Sequence, residues 1–179
     1  MKPLLFLAFL VLLFPSCSRL SEDELFQAAQ TAYQQKNVQQ AMEKLQELLD
    51  RFPGGKHAEP SQFLIAKMYN DDLHDYQNAI AGYRRYRESF GDSARASSAL
   101  FLIGFIYNND LHQYDSARVV YKAFLGQYPN HEMASSAKFE LETLGKNPEE
   151  LFKPQVASEN HHHGKEAMRP GPTRKKKNK

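Results

Sequence analysis

Few side chains in this 179-residue chain are placed to do chemistry. His161, His162 and His163 form one run, and imidazole is a common metal ligand. Three adjacent histidines in a polar stretch have no fixed geometry, so no metal site is expected there. His74 and His112 each follow an aspartate by two positions, Asp72 and Asp110, in equivalent turns. Repetition explains them better than ligation, since a turn Asp accepts backbone N–H bonds. HExxH, GxSxG, Walker and dinucleotide-binding motifs are all absent from the sequence. The chain is therefore expected not to be an enzyme and to need no cofactor. Arg84, Arg85 and Arg87 are expected on a solvated helix face. Lys175, Lys176 and Lys177 suit anionic lipid head groups or cell-wall polymers after export, and no nucleic-acid partner is expected.

The single thiol is the exception. Lys2 precedes an apolar run, Leu4 to Phe14, too short to span a bilayer and suited to a signal peptide. Ser16-Cys17 then resembles a bacterial lipobox, in which a small residue precedes a cysteine that is diacylated and becomes the first residue. Residues 1–16 are thus expected to be removed, with Cys17 as the lipid attachment site and 17–21 as a lipidated linker. The alternative is ordinary cleavage and a secreted protein with a free thiol. An acyl-modified terminus holds a protein on a membrane.

These features must be positioned by helices, and the helices repeat. Residues 57–94 align without gaps on 95–132, a period of 38. Phe63-Leu64-Ile65 falls on Phe101-Leu102-Ile103, Tyr69-Asn70 on Tyr107-Asn108, and Ala79 and Tyr83 on Ala117 and Tyr121. Such self-similarity marks stacked repeats. Ser21 with Glu24 predicts a capping box opening a first helix over about 22–35. Further helices are predicted over about 38–52, 58–69, 76–90, 95–107, 114–128 and 132–144, with one more turn from Asn147-Pro148. The stretch 96–107 is apolar all round, so it is expected to be covered on all sides. Net charge is segregated: −6 over residues 21–152 and +6 over 153–179. The basic tail 153–179 lacks apolar periodicity and is expected to be disordered.

Small residues Ala29, Ala66 and Gly104 precede Ala41, Ala79 and Ala117 by 12 or 13 positions, and Pro53, Gly91 and Pro129 follow those alanines by twelve. With Ala117-x-x-x-Tyr121 and Tyr128-Pro129, this resembles the tetratricopeptide repeat, and most closely envelope lipoproteins of the BamD type. It is also similar to the repeat domain of YbgF proteins. The resemblance implies an all-α helical solenoid over 22–152, three hairpins and a capping helix. It also implies an outer-membrane lipoprotein facing the periplasm, an adaptor binding a segment of another envelope protein, in outer-membrane protein assembly. A structural or cell-wall-associated lipoprotein using its basic tail remains the alternative. In tetratricopeptide folds the first helices line a groove. Phe63, Lys67, Asn70, Phe101, Phe105 and Asn108 are the expected partner-binding residues on that surface, unless the phenylalanines are core instead. The closing helix is expected to cover the last hairpin with Ala134, Ala137, Phe139, Leu141 and Leu144. The oligomeric state is left open.

Overall fold

The computed structural model describes residues 19–146, and these form a tetratricopeptide-like helical solenoid. Its helices are α1 (Glu22–Gln34), α2 (Val38–Arg51), α3 (Ala58–Asp71), α4 (Tyr76–Ser89), α5 (Arg95–Phe105), α6 (Tyr114–Gln127) and α7 (Ala134–Thr143). A π-helical turn, Ile106–Asp110, extends α5. Each odd helix packs against the even helix that follows it, and each even helix against the next odd one. The signal segment, Cys17, the Asn147-Pro148 turn, the basic tail and its histidines lie outside the described residues. Among the described residues no helix is long and apolar enough to cross a membrane.

The expected helix boundaries are met to within a few residues, for local reasons. At α1 the Ser21 backbone N–H donates to Glu24 Oε2 at 2.8 Å, and the Ser21 hydroxyl accepts from the Glu24 N–H, completing the capping box. The turn inside each hairpin uses one device three times. Lys36, His74 and His112 take the left-handed conformation at φ 63°, 51° and 52°, and the next residue caps the second helix. Asn37 and Asp75 accept from the N–H groups of Gln40 and Asn78. Gln113 makes no such side-chain bond. The capping aspartate is therefore Asp75, not Asp72, which accepts a hydrogen bond from the Tyr33 hydroxyl at 3.0 Å. The two histidines sit in these turns, where His74 Nδ1 and His112 Nδ1 each lie 3.3 Å from the carbonyl oxygen four residues back.

The small residues set how closely the paired helices approach. A Cβ built on Gly104 would lie 2.8 Å from the Tyr121 ring, and one on Gly82 would lie 2.8 Å from Ala66 Cβ. Ala79 and Ala117, one turn earlier on the second helices, are fully buried. Helix α5 corrects the expectation of all-round cover. Ala96, Ala99, Leu100, Ile103 and Gly104 are buried, while Ser98 and Leu102 are half-buried and Phe105 is open. The apolar character of α5 therefore exceeds what its neighbours cover, and one strip reaches solvent.

Candidate partner-binding surface

The recurring phenylalanines come first, because the structure decides their place. Phe26 stacks on the His57 ring with centroids 4.3 Å apart, and His57 Nε2 lies 2.7 Å from Asp23 Oδ1. One repeat later, the Arg95 guanidinium lies 6.0 Å over the Phe63 ring and donates to Glu59 Oε2 at 2.7 Å. One repeat later again stands Met133, partly buried against the cluster that holds Phe101. Phe26 and Phe63 are thus roofed by the residue that opens the next first helix. Phe63 also meets the Tyr83 and Tyr86 rings edge-on at 5.4 and 5.2 Å. Phe101 is 8% exposed and contacts Tyr121 and Phe124. Phe63 and Phe101 are therefore packing residues between repeats, a correction to their expected place in the groove. Phe139 continues the series but is 54% exposed. It does not help α7 cover the last hairpin. Ala134, Ala137, Met133, Leu141 and Leu144 do that.

Glu59 is the hub of the second seam. Besides Arg95 it accepts hydrogen bonds from the Tyr86 hydroxyl and from Ser93 Oγ, the latter at 2.9 Å. Partial burial raises its carboxyl pKa, but these three donors outweigh burial and hold it below the ordinary value. Burial, with the Glu59 carboxylate as acceptor, pushes the Tyr86 hydroxyl up to about 12.

What stays open on the first-helix face is narrower than expected. Phe105 is 38% exposed and stacks on Phe101 with centroids 6.5 Å apart. Lys67, the matching residue one repeat earlier, is exposed and paired with Asp71. Asn70 is half-buried; its Nδ2 donates to Asp71 Oδ1 at 2.6 Å, and its own Oδ1 is buried without a partner. Asn108 is buried and already engaged. It is 9% exposed, and its Nδ2 donates to Glu140 Oε2 on α7 at 2.8 Å. The π-helical turn carries Asn108, and such turns are rare and concentrate at functional sites. Phe105, which precedes that turn, and Lys67 are thus the two expected residues with exposed side chains.

A family model described as outer membrane lipoprotein, YfiO, matches residues 19–147. This chain belongs to the YfiO family. That is the BamD-like family of outer-membrane lipoproteins, in accord with the resemblance carried by the repeats. Membership places the protein in the cell envelope and supports protein partners. No curated protein matches the chain. The matched span covers the whole described solenoid, so the family is defined by the same repeats that build the face bearing Phe105.

Proposed function

We propose that the protein is a non-enzymatic adaptor, held on the membrane by a lipid at Cys17 and facing the periplasm, that binds a segment of another envelope protein. Its family supports a role in outer-membrane protein assembly. The observation that carries the reading is Phe105. It leaves more than a third of its surface open and stacks on the packed Phe101 ring. An exposed aromatic continuous with a packed one begins an apolar patch of the kind that marks a docking site. Lys67, two helices away in sequence, gives the same surface a charged neighbour.

The test is a matched pair of substitutions. Phe105→Ala is expected to weaken partner binding by about 1–3 kcal/mol, in the range of an interface hot spot, with the melting temperature nearly unchanged. Phe101→Ala is expected to cost about 3–5 kcal/mol of stability, as core aromatics do. Binding that survives Phe105→Ala undiminished would move the partner off this face.

A further inference from the structure

A second opening lies on the other side of α3, between the even helices. Ile65 and Tyr69 of α3 form its floor, with Leu49 of α2 and Phe90 after α4 on its walls, around a cavity of about 310 Å³. It continues past Met42 to Leu73, which is 45% exposed, through a further space of about 250 Å³. Its lining runs the full length of α2, α3 and α4.

The repeat supplies an internal control. One period later, Arg84 and Arg87 stand where Gln46 and Leu49 stand here. Arg84 donates to the Tyr107 hydroxyl at 2.9 Å, and Arg87 donates to Gln127 on α6 at 2.9 Å. The Arg87 bond spans the equivalent α4–α6 furrow, and the Arg84 bond ties α4 to the π-helical turn that extends α5. Gln46 instead bonds Asp50 on its own helix at 2.8 Å, and Leu49 has nothing to donate. Among the described residues no side-chain hydrogen bond links α2 to α4. The first furrow is open because Leu49 stands where Arg87 spans its counterpart.

Its chemistry selects the occupant. Three of the rim amides are already used, Gln39 on Glu43, Gln46 on Asp50 and Asn78 on Asp75, which leaves Gln62 as the rim amide without a side-chain bond among the described residues. An extended backbone laid here would leave most of its own polar groups without partners, which is costly. A helix satisfies its backbone internally and needs only an apolar floor. Charge sets its direction. Arg85, exposed and in no ion pair among the described residues, lies toward the Gln62 end of the furrow, and Glu43 lies at the Leu73 end. We propose that this furrow docks an amphipathic helix of a second envelope protein, antiparallel to α2 and α4. Its apolar residues at i, i+3 or i+4, and i+7 cover Ile65, Tyr69 and Leu73, an acidic first turn meets Arg85, and a basic last turn meets Glu43. Its N-terminus then lies beside the C-terminal ends of α2 and α4, the favourable arrangement of helix dipoles.

The experiment places p-benzoylphenylalanine at Gln46 of the full chain in the native envelope and maps the adduct formed on irradiation by mass spectrometry. The expected adduct lies in a segment with that apolar spacing and an acidic first turn, and Arg85→Glu is expected to reduce its yield about tenfold or more by setting like charges together. Arg85 is exposed, so the variant should melt as the parent does. Phe105→Ala should leave this adduct unchanged, which separates the furrow from the first-helix face. Absence of an adduct, an adduct on a segment without helical periodicity or on a second copy of this chain, or a yield indifferent to Arg85→Glu would each overturn the proposal.

Discussion

At the scale of single residues, identical positions in successive repeats do different work because of what covers them. Phe63 packs under Arg95 and Phe101 packs against Tyr121 and Phe124, while Phe139 is open. The period of 38 located these phenylalanines but not their roofs, although His57 and Arg95 are separated by the same period. Pairing a residue with the opening of the next repeat requires knowing how the hairpins stack. Glu59 gives the pH test at this scale. Its folded pKa is depressed, so its contribution to stability is fully present above the unfolded value of about 4.3 and is lost as pH falls through the folded value. Glu59→Gln should therefore lower the melting temperature at pH 7, with the gap to the parent closing toward about pH 3. A gap of constant size across a pH series of thermal melts would show that the carboxylate charge is not what holds this seam.

At the scale of elements, helix positions followed from caps and apolar periodicity, and the exceptions have local causes. The turn Ile106–Asp110 widens into a π-helix although Tyr69-Asn70 and Tyr107-Asn108 are the same dipeptide. Both hairpins share the closing bond, from Leu73 to Met68 and from Leu111 to Ile106, each five residues back. The difference accompanies the Asn108–Glu140 bond, a long-range contact that no local pattern encodes. The hairpin turns offer a cleaner prediction. Asn37 and Asp75 cap α2 and α4, whereas Gln113 holds the same place before α6 without a side-chain bond. Its backbone, at φ −90° and ψ 71°, nearly matches Asp75 at −89° and 77°, so a short acceptor already has the required geometry. Gln113→Asp should stabilise the protein by about 1 kcal/mol, read as a higher urea midpoint at unchanged slope. The reciprocal Asp75→Ala should cost about as much. A neutral Gln113→Asp would mean the third turn is held by something other than its cap.

At the scale of the whole molecule, the solenoid has no central core, only seams between neighbours. Three buried clusters lie along it, one centred on Ala29 and Leu45, one on Tyr83 and Ile103, and one on Tyr121 and Phe124. In such arrays stability is close to a sum of repeat and nearest-neighbour terms, and terminal helices shield the flanks. Helix α7 is that shield for the third cluster: Ala137 lies in the cluster, and Met133, Leu141 and Leu144 pack on it. Deleting residues 133–179 would uncover Phe101, Tyr121 and Phe124 together. Burying an aromatic of this size is worth about 1.5–3 kcal/mol, so the loss would rival the total stability of a small domain. The truncated chain should aggregate, or melt early and with lower cooperativity, in size-exclusion and thermal-unfolding measurements. The first cluster is built from α1, α2 and α3 alone, and it should keep its protection in hydrogen exchange under conditions where α5 and α6 have lost theirs. If α1 and α2 exchange in step with α5 and α6, the array is one cooperative unit and the nearest-neighbour account of it fails. If the truncated chain is a monomer with the parent's melting curve, α7 is an appendage and the solenoid ends at α6.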